Sequence, residues 1–149
     1  MVKNNYFDIV FVSGHSMQNN FHDGDILLYS VVSDEKEINR FDTIVAKVSD
    51  TKLIKRVVGL PKDEVLIVGD IITINGIKMT DLPFHTSKKD EEVCHIILGE
   101  DEYFILGENL DESADSREFG SIKFDTIYGV VKYQIYPFSD FGSVNYYTG

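Results

Sequence analysis

Ser16 lies in the run V-S-G-H-S-M at 12–17, two residues after Gly14 and immediately before Met17. A glycine at that place lets a backbone approach closely, because no Cβ stands in the way. A serine hydroxyl becomes a useful nucleophile at neutral pH only when a base is held against it. The chemistry of this stretch therefore depends on a base supplied from elsewhere in the chain. Lys55, in T-K-L-I-K-R-V-V-G at 51–59, is one candidate. On a strand it shares a face with Leu53 and Val57, while Arg56 turns the other way. Burying an ammonium is costly. Desolvation lowers its pKa, and the neutral amine can then accept a serine proton. The plainer alternative is an edge-strand lysine that snorkels to water. Histidine is the other candidate base. His15 adjoins Ser16, but neighbouring side chains diverge. His22, His85 and His95 stand in no metal or catalytic signature, and a histidine triad would have to be assembled in space.

A second stretch invites a chemical reading: G-E-N-L-D-E-S-A-D-S-R-E-F-G at 107–120, which places Ser113, Asp115, Ser116 and Arg117 close together. It can be read as a solvated acidic loop whose Asp115–Arg117 pair is worth little. It can also be read as a rigid loop whose hydroxyls and ion pair brace a catalytic amine. Its oxygen spacing does not match an EF-hand calcium loop.

The elements that must position these residues read as β almost throughout. Strands are predicted at 6–12, 26–32, 42–48, 52–58, 64–68, 70–74, 93–98, 102–106 and 127–136. Residues 33–40 are charged and suit a loop or a single helical turn. Asn75-Gly76 is the strongest hairpin signal, since a type I′ turn needs positive φ at both central residues. Residues 80–92 read as an exposed loop. The expected fold is mainly β, with antiparallel sheets.

At 149 residues the chain suits one domain with a real core. Its net charge of −11, from 25 acidic and 14 basic residues, argues against a nucleic-acid partner. The lone Cys94 excludes an intrachain disulfide and a cysteine-built zinc site. No run approaches the roughly 18 to 20 apolar residues of a membrane span, and the N-terminus is too polar for a signal-peptide core.

Taken together, the stretches resemble the bacterial type I signal peptidases, Ser-Lys proteases that remove signal peptides from exported proteins. G-H-S-M at 14–17 resembles the nucleophile box, and the spacing to F-H-D-G-D, ending at Asp25, fits. K-R-V-V-G-L-P-K-D at 55–63 is similar to the lysine box, I-N-G at 74–76 to a recurring turn, and 107–120 to the last box. The resemblance runs from about residue 7 to 138. It implies Ser16 as nucleophile, Lys55 as general base and Ser113 as the hydroxyl that orients the lysine. Asp115 and Arg117 would be a structural ion pair, and Met17 a substrate contact. Gly14 fills a place where some members carry a second oxyanion-donating serine, leaving more of that task to the Ser16 N–H.

The resemblance also implies a single protease domain, 1–149, with a small β insertion at 62–102. It implies signal-peptide-bearing pre-proteins as partners and membrane-surface association at the extracytoplasmic face of a bacterial cell membrane. No metal or cofactor is implied. The chain departs from the pattern in several places. Asn19 and Asn20 replace a usual Pro-Thr, which is expected to loosen the turn; Lys62 replaces a glycine; Glu108 and Leu110 replace Asp and Arg. The usual membrane anchor before the nucleophile box has no counterpart here. A runner-up, the self-cleaving domain of SOS-type repressors, shares the Ser-Lys chemistry. Those proteins place a cleavage segment before the serine, where this chain has 15 residues, and they lack the S-A-D-S-R loop. A catalytically degenerate peptide-binding module is the third reading.

Overall fold

The computed structural model describes residues 6–88 and 92–144. Among the described residues, eleven strands form two sheets whose named strand pairs are all antiparallel. The larger sheet contains β1 (Phe7–Phe11), β2 (Ile26–Val31), β3 (Thr43–Val48), β4 (Thr51–Gly59), β9 (Phe104–Leu106) and β10 (Ile127–Tyr136). Its order is β1-β2-β10-β3-β4-β9, with the short β11 (Gly142–Ser143) added to β10. The smaller sheet runs β7-β6-β5-β8, from β5 (Glu64–Val68), β6 (Ile71–Ile74), β7 (Ile77–Lys78) and β8 (Val93–Ile97). All four of its strands fall within 62–102.

The alternation of apolar and polar side chains decides which strands are inner ones. In β1 only Val10 is buried, as suits a sheet edge, whereas β4 is buried continuously from Ile54 onward. Successive residues Ile44 and Val45 enter different cores on the two faces of β3. One core gathers Leu27, Tyr29, Val45, Ile54 and Val131; the other gathers Ile44, Val57, Ile105 and Val130. A third joins the smaller sheet (Val65, Ile67, Ile72, Ile74) to Val58, Phe104 and Leu106 at the end of the larger one. Each such side chain contributes roughly 1.5–3 kcal/mol by leaving water.

The predicted strands are present, with ends shifted by a residue or two. The turn at 75–76 has φ of 52° and 81°, as a type I′ hairpin demands. Residues 33–40 contain one 3-10 turn, Glu35–Glu37, capped by the Asp34 carboxylate. β7 and β11 were not foreseen; two residues are too few to show a period. Lys62, at the place where the resemblance calls for glycine, has φ of 72°, a left-handed conformation that costs a side-chain-bearing residue about 1 kcal/mol.

Candidate active site

The serine loop leaves β1 and returns to β2. Its base is closed by two backbone bonds, Val12 N–H to Asp25 O (2.8 Å) and Gly24 N–H to Val12 O (2.9 Å). Within it, Phe21 and Met17 plug the core beneath β2. Met17 is only 2% exposed, packed with Val10, Val12 and Leu27. The methionine seats the serine on the core, because burying its thioether chain is worth more than exposing it. Gly14 has φ of 85° and open space where a Cβ would stand. Its own N–H donates to Asp23 Oδ1 at 2.9 Å.

Lys55 reaches this loop from β4. Its Nζ lies 2.6 Å from Ser16 Oγ, and the residue is 4% exposed. That burial closes the snorkelling alternative. Burial, and to a lesser degree the Arg117 guanidinium, lowers the Lys55 pKa to about 8, against an opposing pull from Asp115. Near neutrality a working fraction of the amine is unprotonated. Three of the four histidines are engaged elsewhere: His15 Nδ1 with Gln18 Nε2, His85 Nε2 with Gln18 O, and His95 Nε2 with Glu64. None of these contacts reaches the Ser16 hydroxyl.

The loop at 107–120 packs behind the pair. It holds a 3-10 turn, Leu110–Glu112, and a four-residue helix, α1 (Ser116–Phe119). Asp115 caps α1 and is 0% exposed. Its carboxylate accepts from Arg117 Nε (2.8 Å) and Nη2 (3.0 Å) and from the Gly107 N–H (3.1 Å). Arg117 also donates to Leu110 O at 2.9 Å, and Ser116 Oγ accepts the Ile105 N–H at 2.9 Å. The reading of a solvated, weak ion pair is therefore corrected: with the capping Arg117 N–H at 3.2 Å, the buried carboxylate has four donors and must keep them all.

Ser113 departs from what the resemblance implies. Its Oγ is buried and has no hydrogen-bond partner among the described residues, so the bond to Lys55 is not made here. The hydroxyl is nonetheless close by. Continuing the β4–β9 register by one residue sets Gly107 opposite Lys55. A Cβ on Gly107 would lie 2.6 Å from Ser113 Cβ and 2.8 Å from Ser16 O. Only a glycine lets these three segments converge.

Sequence reasoning missed the far side of β4. Arg56 is fully buried, and its Nε (2.9 Å) and Nη2 bind Glu108 Oε1 while Nη1 donates to Phe41 O at 2.7 Å. Glu108, 0% exposed, also accepts from Asn20 Nδ2 at 2.9 and 3.0 Å. Two departures from the family pattern, Asn20 and Glu108, are thus each other's partners. Asn20 is tied to the same carboxylate as the strand carrying Lys55. Adjacent charges at 55 and 56 on one strand were the available signal, since both faces of an inner strand demand partners.

Comparison with known proteins shows the family to which the chain is similar. A sequence model of the family described as "Signal peptidase, peptidase S26" matches residues 1–136. Signal peptidase I V of Bacillus subtilis is 34% identical over 146 residues, covering 87% of this chain and 86% of that protein. Signal peptidase I of Bacillus caldolyticus is 32% identical over 151 residues, covering 91% and 82%. A crystal structure of a signal peptidase I from Enterococcus faecalis V583 superposes with a TM-score of 0.56 at 26% identity, covering 62% of this chain and 95% of that one.

Proposed function

The chain belongs to the signal peptidase family, peptidase S26, and from that membership we propose a serine endopeptidase that cleaves signal peptides from exported pre-proteins with a Ser16–Lys55 dyad. The observation that carries the reading is the 2.6 Å approach of a lysine amine, buried and shifted to about 8, to a serine hydroxyl. Unprotonated Lys55 accepts the Ser16 proton while Oγ attacks the scissile carbonyl. The Ser16 N–H is the oxyanion donor in this scheme, since that of Gly14 is committed to Asp23. Lys55 then delivers its proton to the departing amine. Water hydrolyses the acyl-enzyme by the same route in reverse roles. While charged, the ammonium needs acceptors, and in this scheme the Ser113 hydroxyl, buried and without a partner among the described residues, supplies one. Asp115 and Arg117 hold the loop that presents Ser113.

The substrate docks as an added strand. β9 pairs with β4 only over Arg56, Val57 and Gly59, which leaves the edge of β4 before Lys55 open for an extended peptide. Small side chains at the first and third positions before the cut are the specificity expected of the family. In this scheme residues 62–102 are an insertion within one protease domain.

The enzyme works at the extracytoplasmic membrane surface. Among the described residues no helix is long and apolar enough to cross a membrane. The outer face of the β1–β2–β10 sheet is apolar instead. Its register aligns Ile9, Leu28 and Tyr133 in one row and Phe11, Ile26 and Tyr136 in the next. Phe138 beyond them is 81% exposed. A face of this size and composition suits the lipid interface, where aromatic rings are favoured.

The test is cleavage in trans of a synthetic signal-peptide substrate, with detergent or lipid present. Ser16→Ala, Lys55→Ala and Lys55→Arg are each expected to abolish turnover with the fold retained, the last because a guanidinium stays charged. Self-cleavage alone would favour a repressor-type domain. No cleavage of either kind by the wild type would favour a peptide-binding module.

A further inference from the structure

The serine loop is held from behind by a residue that belongs to none of the boxes above. His85 lies in the connection between β7 and β8, and its Nε2 is 2.8 Å from Gln18 O. A carbonyl can only accept, so Nε2 carries the hydrogen, and it does so whether the ring is neutral or charged.

The position of His85 is over-determined. Its N–H donates to Glu108 O and its carbonyl accepts the Leu110 N–H, each at 3.0 Å. The next residues are fastened to the same loop: Thr86 Oγ1 and Ser87 N–H donate to Asp111 Oδ1 and Oδ2, at 2.6 and 2.9 Å. Between those anchors Asn109, bridged to His85, donates its N–H to Ser16 O at 2.8 Å and its Nδ2 to His15 O at 3.4 Å. Three carbonyls of the serine loop, at 15, 16 and 18, are thus gripped from one side by a two-residue bridge.

The geometry matters because the His15–Ser16 peptide unit is planar and trans. Holding His15 O from behind turns the Ser16 N–H of the same plane toward the opposite side, where the proposed scheme needs an oxyanion donor. Holding Ser16 O fixes the backbone that aims Oγ at Lys55. Gln18 O sets where the loop begins its return toward Phe21. We infer that His85, acting through Gln18 and together with Asn109, is a positioning residue for the nucleophile loop. This makes residues 85–87 part of the active-site support. The inference rests on the proposed function for its kinetic consequence but not for its structural one.

The test compares His85→Phe, which keeps a ring but loses the donor, with His85→Gln, whose Nε2 can replace it. Kinetics on a signal-peptide substrate and amide hydrogen exchange over residues 14–21 are measured on the full chain. His85→Phe is expected to lose on the order of tenfold in kcat, with KM within about twofold, since misplacement of reacting groups acts on the chemical step. Amides of the serine loop should exchange faster while those of β3 and β10 do not. His85→Gln should recover most of both. Wild-type kcat and loop exchange in His85→Phe would overturn the inference. So would equal losses in both variants that track a falling Tm, because that is a merely structural role. If the wild type fails to cut peptide but His85→Phe still loosens the loop, the protease reading falls and the brace stands.

Discussion

Lys55 at pH 7 is largely an ammonium held out of water beside a hydroxyl, and two consequences follow. Only its neutral form can take the Ser16 proton, so kcat/KM is expected to rise about tenfold per pH unit at low pH and level off above about 8. A pH–rate profile checks this, and a limb near the ordinary lysine value of 10.5 would contradict the buried amine. The second consequence concerns stability. The folded pKa lies below the unfolded one, so between about 8 and 10.5 the unfolded chain holds the extra proton and stability rises with pH. Below pH 8 both states are protonated and the whole penalty stands. The shift corresponds to roughly 3 kcal/mol, and the lost Ser16 bond offsets about 1 of that. Lys55→Met should therefore be inactive yet more stable at pH 7 by about 2 kcal/mol, the gain fading as pH approaches 10.5. Denaturant melts at pH 7 and 10 measure it.

At the scale of elements, the loop at 107–120 joins two kinds of residue whose loss should look different. Ser113 has no hydrogen-bond partner to forfeit among the described residues, so Ser113→Ala should leave Tm within a degree or two while lowering kcat by about 10²-fold. Asp115 holds Arg117 and the Gly107 N–H in a buried cluster. Asp115→Asn removes the charge that pairs the guanidinium and should cost about 3 kcal/mol along with activity. Thermal melts and turnover on the two variants separate the cases. Wild-type kinetics in Ser113→Ala would remove that hydroxyl from the mechanism.

For the whole molecule, net charge and the apolar sheet face pull in different directions at a membrane. The charge of −11 repels an anionic surface, whereas Phe11, Tyr136 and Phe138 gain by leaving water. Binding to zwitterionic phosphatidylcholine vesicles is therefore expected to exceed binding to anionic ones, with the difference shrinking in salt. Phe11→Ser with Phe138→Ser should weaken both without altering the Ser16–Lys55 pair. Co-sedimentation at two ionic strengths distinguishes this from a purely electrostatic encounter.

Local information was enough to place the strands, the Asn75-Gly76 hairpin and the residue types at 16 and 55, because strand period, turn chemistry and an out-of-place lysine are written within a few neighbouring residues. The family could be read from boxes spread along the chain for the same reason. The tertiary structure alone decided which side chains meet. Met17 and a substrate-facing residue look alike in sequence, and only the packing under β2 makes Met17 a core plug. Asn20 and Glu108 stand 88 positions apart, as His85 and Gln18 stand 67 apart, and no short-range pattern couples them. The Asn20–Glu108 bond forms because the buried Glu108 and Arg56 cannot remain unpaired in a low-dielectric interior, and the folded sheet leaves each of them few partners within reach.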